Sequence, residues 1–133
     1  MSKALTAPIP LRAFEDSLPM ALMRARESVM RYFRPVLSEH DLTEQQWRVL
    51  RALRDAEAAM SVGELAQRTF LLGPSLSRML ASMDERGLIE RATASDARRA
   101  EISISTQGLE LVSEIAPSSE RSYGRIDALL DPG

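Results

Sequence analysis

Four polar side chains lie close together on one short segment, namely Ser75, Ser77, Arg78 and Ser82, with Pro74 just before them. Hydroxyl and guanidinium groups donate hydrogen bonds to phosphate oxygens and to base edges in the major groove of double-stranded DNA. The small side chains in this segment allow a close approach to a groove. The segment therefore indicates a DNA contact, while the same residue types also fit an ordinary solvated helix face.

A second cationic group lies at Arg98 and Arg99, with Asp96 beside it. The flanking segments, 88–91 and 101–105, alternate polar and apolar residues in the manner of strands, so they predict a β-hairpin with these charges at its tip. Narrow A·T-rich minor grooves attract inserted arginine side chains. We expect the two arginines to reach such a groove, and Asp96 to orient one of them through a bidentate pair.

The sequence contains few residues that could catalyse a reaction or bind a metal ion. The spacing Ser75-x-x-Arg78 is superficially that of an acyl-transfer pair, but arginine does not deprotonate and so cannot act as the base. Cysteine is absent, and His40 is the single histidine, so a zinc site would have to be built from scattered carboxylates. We therefore expect no enzymatic activity, no metal and no cofactor.

The elements that position the polar segment are predicted by capping and turn residues. Ser61 and Glu64 form a capping box, which predicts a helix from Val62. Gly73-Pro74 then starts a second helix, because proline is tolerated in a first turn. That helix has Leu76, Leu80 and Met83 on one face, and Gly87 is expected to end it as a left-handed cap. The order is helix, turn, helix, hairpin.

Further helices are predicted on both sides of this unit. Thr43 and Gln46 form another capping box, and the helix that follows is expected to direct Trp47, Leu50 and Leu53 inward. A helix from Ser17 should bend or end near Pro35. A last helix, capped by Thr106, is expected to be kinked or in two pieces at Pro117. The first helix has a broad apolar stripe, which fits either contact with a second chain or burial in the chain's own core; its two rows are Leu22, Val29 and Val36, and Met23, Met30 and Leu37.

The length and charge of the chain further restrict the class of protein that it can be. The 133 residues suffice for one domain. The formal charge is −2, but residues 68–99 contain six arginines against four carboxylates, so the basic charge is concentrated around the predicted DNA contact. No run reaches the roughly 18 apolar residues of a membrane span, and the N-terminus lacks a signal peptide. We expect a cytoplasmic protein.

Several motifs in this order resemble the winged helix-turn-helix of the multiple antibiotic resistance regulator (MarR) family. The resemblance covers the chain from about Leu18 to Gly108. Within the family, residues 25–48 look most like the homoprotocatechuate-degradation repressors. The matching motifs are Leu42-Thr43-x-x-Gln46-x-x-Val49-Leu50, Glu64-Leu65-Ala66, Gly87-Leu88-Ile89-x-Arg91 and Asp96-x-Arg98-Arg99.

The resemblance implies a mainly α fold with a small β-hairpin, in which a winged helix-turn-helix is flanked by N- and C-terminal dimerisation helices. Residues 1–133 would form a single domain, with the DNA-binding unit at 43–106 and dimerisation helices at 17–38 and 107–130. Members usually carry one more terminal helix that interleaves in the dimer, whereas this sequence ends at Gly133; the apolar stripes on the first and last helices remain available for dimer contacts.

The resemblance also implies a function. A homodimer would bind an imperfect palindrome in double-stranded DNA and repress an aromatic-compound catabolic operon until a small phenolic acid releases it. An inward-facing arginine suits an aromatic carboxylate. The alternative is a protein that keeps the fold, binds a partner and reads no DNA; the arginines of the hairpin tip favour the regulator. The residues that we expect at the effector site are Arg24, Met30, Arg31, Phe33 and Trp47.

Overall fold

The computed structural model describes residues 9–93 and 100–131, and its contacts divide the chain into two compact units, one ending at Arg31 and one beginning at Tyr32. The first unit contains a 3-10 helix, Phe14–Asp16, and α1, Leu18–Met30. Ser17 caps α1 by accepting a hydrogen bond from the backbone N–H of Met20. Neither helix has a buried residue, so the apolar stripe predicted here is exposed along much of α1.

The second unit contains five helices and three short strands among its described residues. In chain order they are α2 (Arg34–Glu39), α3 (Glu44–Asp55), β1 (Met60–Ser61), α4 (Val62–Thr69), α5 (Gly73–Glu85), β2 (Ile89–Thr93), β3 (Ala100–Ile104) and α6 (Thr106–Leu130). The predicted fold class is confirmed. None of the helices in the described ranges has the length and apolar character that a membrane crossing requires.

The helix expected over residues 17–38 is two helices. α1 ends at Met30 and α2 begins at Arg34, with Pro35 in the first turn of α2. Pro35 has no N–H to donate to the carbonyl of Arg31, and a first-turn position is where that loss does least harm. The predicted effect of Pro35 is therefore confirmed, and the break falls a few residues before it.

Both predicted helix starts of the central unit are confirmed. Thr43 and Gln46 form a complete capping box at the start of α3. Ser61 Oγ accepts the N–H of Glu64 at 3.1 Å and so begins α4 at Val62. The last helical residue of α5 is Glu85, and Gly87 terminates the helix as the predicted left-handed cap, with a φ of +75°. The N–H of Gly87 bonds to the carbonyl of Asp84, and the N–H of Leu88 to the carbonyl of Met83, which is a Schellman motif.

The predicted hairpin is confirmed in its strands, which are shifted by one or two residues from the expected bounds. β2 and β3 pair antiparallel, with Ile89 opposite Ile104 and Arg91 opposite Ile102. The sheet also contains β1, which the sequence analysis missed; it pairs with the other edge of β3, placing Met60 opposite Ile102. The start of α4 is therefore joined to the middle of β3.

The last helix differs from its prediction in two respects. Its cap is Ser105, not Thr106, because Ser105 Oγ accepts the N–H of Gly108 at 3.0 Å while its hydroxyl donates to the carbonyl of Gly87 at 2.6 Å. Thr106 is the first helical residue. α6 then runs without a break through Pro117 to Leu130, so the two-piece alternative is wrong.

The core lies where α3, α4, α5 and α6 pack around the sheet. Its residues come from every element of the second unit, which is why the helix-turn-helix is held rigidly. The buried apolar side chains of this cluster are Leu37, Leu42, Val49, Leu50, Leu53, Met60, Leu65, Leu76, Leu80, Met83, Leu88, Ile89, Ile102, Val112 and Ile115.

Candidate nucleic-acid interface and ligand cavity

The outer face of α5 presents all five residues of this helix that the sequence predicted for DNA contact. Pro74, Ser75, Ser77, Arg78 and Ser82 are all exposed. The inner face has no exposed surface at its apolar positions, since Leu76, Leu80 and Met83 each have a relative exposure of 0%. Because the helix is held by buried side chains on one side, the polar groups on the other side project from a fixed support.

The electrostatic character of this face is positive at its N-terminal end. Residues 65–83 contain two arginines, Arg68 and Arg78, and no carboxylate. Asp84 and Glu85 lie in the last turn of α5, about 9–10 Å along the axis from Arg78 at 1.5 Å per residue. Within the described ranges Arg78 has no hydrogen-bond or ion-pair partner. Its guanidinium group is therefore available to an anion.

The predicted tip of the hairpin, with Asp96, Arg98 and Arg99, lies outside the described residues. The two strands of the hairpin are described: β2 directly precedes that segment in the chain, and β3 directly follows it. The minor-groove contact of these side chains stays a prediction.

Two arginines outside the predicted site fix the helix-turn-helix to its neighbours. Arg48 on α3 donates from Nη1 to the carbonyl of Thr69, the last residue of α4, at 2.8 Å. Arg86, just after α5, donates to the carbonyl of Asp41 at 2.7 Å and to that of His40 at 3.4 Å. Charged donors on the final carbonyls of a helix also interact favourably with its dipole. The ends of α4 and α5 are therefore fixed to α3 and to the turn before it.

A cavity of about 100 Å³ lies between α3 and α6. The guanidinium carbon of Arg51 lies 5.8 Å from the centre of the Trp47 ring, and Nη2 lies 3.6 Å from a carboxylate oxygen of Asp55. Arg51 Nε is buried and has no hydrogen-bond partner among the residues that the structure describes. An aromatic wall with an unsatisfied cationic donor suits a planar ring that bears an anionic group. The lining residues are Trp47, Arg51, Arg54, Val112, Ala116, Ser119 and Glu120.

Of the five residues expected at an effector site, only Trp47 lines this cavity. Trp47 is half-buried, whereas Leu50 and Leu53 of the same helix are buried as predicted. Phe33 is buried against α6, where its ring meets that of Tyr123 edge-on with centres 4.9 Å apart. Arg24, Met30 and Arg31 belong to the first unit, in which Arg24 donates to the carbonyl of Glu15 at 2.6 Å.

The sequence analysis missed Arg51, although a signal was present. Arg51 follows Trp47 by four residues on one helix, and residues with that spacing share a face. Arg54 is a further turn along and lines the same cavity. The α6 side of the cavity had no comparable signal.

The sequence also matches known proteins. A model of the MarR family matches residues 40–100. The homoprotocatechuate degradative operon repressor of Escherichia coli is 40% identical over 114 residues, which cover 85% of this chain and 76% of the repressor. The chain belongs to the MarR family. The predicted resemblance to the family, and to its homoprotocatechuate-degradation subgroup, is confirmed.

Solved structures of similar proteins agree with this membership. The transcriptional regulator PA4135 is 37% identical, with a TM-score of 0.79 over 84% of this MarR-family chain and 82% of PA4135. NadR in complex with 4-hydroxyphenylacetate is 31% identical, with a TM-score of 0.78 over 92% of this chain and 87% of NadR. PA4135 is named a transcriptional regulator and the Escherichia coli relative an operon repressor, so this MarR-family chain is similar to proteins of transcription control.

Proposed function

We propose that this chain is a cytoplasmic, dimeric repressor that binds a specific sequence in double-stranded DNA and is released by a small phenolic acid. The operon it controls would encode the breakdown of an aromatic compound, as the name of the Escherichia coli repressor states for that relative. The observation that carries the proposal is the outer face of α5, which combines exposed hydroxyl groups with the guanidinium group of Arg78 on a rigid support. That group has no partner in the described part of the chain.

The proposed complex places one α5 helix of each protomer in a major groove. In helix-turn-helix dimers, two such helices enter successive major grooves, so the half-sites of the operator lie about 10 bp apart or a multiple of that distance. An imperfect palindrome then matches the twofold symmetry of the dimer. Ser75, Ser77, Arg78 and Ser82 read bases or contact phosphates, with Pro74 at the helix start, while Arg98 and Arg99, oriented by Asp96, reach the flanking minor groove.

The exposed apolar side chains at both ends of the chain support a dimer. Leu22 and Met23 on α1 are 62% and 58% exposed. Leu129 and Leu130 at the end of α6 are 70% and 76% exposed. Apolar surface of this kind is stabilised when a partner covers it. We therefore assign dimerisation to residues 17–38 and 107–130.

Replacing Arg78 by alanine is expected to weaken binding to the operator by about 1–3 kcal/mol and to relax the preference at one base position, because a base contact is lost. The measurement is fluorescence anisotropy with a duplex that the wild-type protein selects from a random-sequence pool, followed by single-base substitutions. Arg125→Ala removes the same charge from an exposed position on α6 and should bind as the wild type does. Unchanged affinity and base preference in Arg78→Ala would remove this residue from the reading face.

The cavity between α3 and α6 supports a phenolic acid as the releasing molecule. Its ring would lie against Trp47, and its carboxylate would accept the buried N–H of Arg51, the donor that has no partner in the described chain. The solved structure of NadR contains 4-hydroxyphenylacetate, a molecule with these two groups. A ligand that fills the cavity would change the position of α3 and, through Arg48, that of the helix-turn-helix.

Adding 4-hydroxyphenylacetate is expected to lower the affinity for the selected duplex by a factor of about 5–150, the usual range for coupled sites. The measurement is an anisotropy titration of the protein–duplex complex. 4-(2-Hydroxyethyl)phenol has the same ring without the carboxylate and should have no effect, since Arg51 requires an anion. Equal release by both compounds, or release by neither, would count against a carboxylate-binding cavity.

A further inference from the structure

The turn between α4 and α5 exposes two large apolar side chains beside the DNA-reading face. Phe70 has a relative exposure of 91% and Leu72 of 77%, and Phe70 is the most exposed large hydrophobic residue in the described part of the chain. Between them, Leu71 is partly buried and packs on the core. The three-residue turn therefore fixes its middle residue inward and directs its two flanking residues into solvent.

The backbone at Phe70 makes this exposure harder to explain by the fold alone. Phe70 ends α4 in the left-handed conformation, with φ +59° and ψ +31°. Glycine or asparagine is usual at such a position, and a bulky side chain there is an outlier. The phenyl ring has no core contact to offset this cost, since it is almost fully exposed. A partner outside the chain accounts for a residue that the fold itself does not need.

The surroundings of the turn point to DNA as that partner. Leu72 is the N-cap of α5, so the turn lies at the N-terminal end of the helix that presents Ser75 and Arg78. A recognition helix contacts base edges with its N-terminal residues. The absence of carboxylates over residues 65–83 favours a polyanion over an apolar protein surface. The apolar feature of the major groove is the 5-methyl group of thymine, which apolar side chains contact directly.

We propose that Phe70 and Leu72 read thymine in the operator by packing against 5-methyl groups in the major groove, next to the bases read by α5. This inference rests on the proposed DNA-binding function. It assigns sequence preference to the turn as well as to the polar face of the helix. Contact between apolar side chains and thymine methyl groups adds to the base preference that hydrogen bonds provide, without requiring another charged group.

The test replaces each thymine of the selected duplex by deoxyuridine, which removes only the methyl group. At one or two positions in each half-site, deoxyuridine should weaken wild-type binding about fourfold, the value expected for one buried methyl group. In Phe70→Asn or Leu72→Ala this loss should disappear at the position that each side chain contacts. Asparagine tolerates the left-handed conformation, so Phe70→Asn retains the fold. Arg78→Ala should bind more weakly and keep the sensitivity to deoxyuridine.

The outcomes separate this inference from the function on which it rests. If the wild-type protein selects no duplex, both are overturned. If it selects one, and Phe70→Asn and Leu72→Ala retain the wild-type pattern of deoxyuridine sensitivity, only the reading of thymine is overturned. A change in self-association of Phe70→Asn with unchanged DNA binding would assign the turn to a second copy of the chain and would likewise overturn it. Leu11→Ala, at an exposed leucine outside α5 and outside the residues assigned to dimerisation, should leave the pattern unchanged.

Discussion

Gly108→Ala is expected to lower the free energy of unfolding by about 1–3 kcal/mol, the usual cost of adding a methyl group to a tightly packed site. A Cβ atom on Gly108 would overlap with the carbonyl oxygen of Leu88 and would lie 2.7 Å from Cγ1 of Ile104. The Leu88 carbonyl accepts the N–H of Ser105 and so cannot rotate away. The start of α6 would therefore have to move away from the hairpin. Urea unfolding at one fixed protein concentration measures the loss.

Gly124→Ala, in the same helix, is the matched control. A Cβ atom at Gly124 meets nothing within 4 Å. Alanine is favoured over glycine inside a helix, so this variant should be more stable than the wild type by about 0.5–1 kcal/mol. If Gly108→Ala matched the wild type in stability, the close approach of α6 to Leu88 would be wrong.

Arg51→Met is expected to abolish release by 4-hydroxyphenylacetate, a change from the factor of about 5–150 proposed for the wild type to no measurable effect. Methionine keeps an apolar side chain of similar length at this position and removes the guanidinium group from the cavity lining. Folding should be little affected, because the pair of Arg51 with Asp55 is partly exposed and such pairs contribute little to stability. DNA affinity without ligand should stay at the wild-type value. The measurement is the anisotropy titration described above.

Arg121→Met controls for the loss of one positive charge. Arg121 is exposed on α6, donates to Ser118 Oγ at 2.8 Å and is not among the cavity residues. This variant should release DNA at the same concentration of 4-hydroxyphenylacetate as the wild type. A normal response in Arg51→Met would place the effector elsewhere in the protein.

Local signals predicted most of the fold. Three features depend only on residues within about one turn or one strand. They are the capping residues of α3 and α4, the glycine cap of α5, and the alternation of polar and apolar residues in the hairpin strands. Single stretches of sequence therefore determine them. The error at the last helix had a non-local cause. Ser105 and Thr106 have equivalent hydroxyl groups, and the choice between them depends on the carbonyl of Gly87, which lies 18 residues away in sequence.

Features that depend on distant segments could not be predicted in this way. β1 is two residues long and has no period of its own; its partner β3 is about 40 residues away. Arg48 and Arg86 bond to carbonyl groups 21 and 45 residues distant, and their spacing in sequence gives no sign of it. The polar outer face of α5 was predictable because both faces lie on one helix. The cavity between α3 and α6 was predicted only at Trp47 because it forms between two helices.

Two sets of hydrogen bonds have an evolutionary consequence: Arg48 on α3 donates to the last carbonyl of α4, and Arg86, just after α5, donates to carbonyls of the turn before α3. Because these bonds attach the two helices to the α3 region through backbone carbonyls, they do not depend on the side chains that face a groove or a cavity. In the regulator proposed above, substitutions on the outer face of α5 would thus alter the preferred operator while the response to an effector persists. Substitutions around Trp47 would do the reverse, so one scaffold would acquire new inducers and new target genes in separate steps.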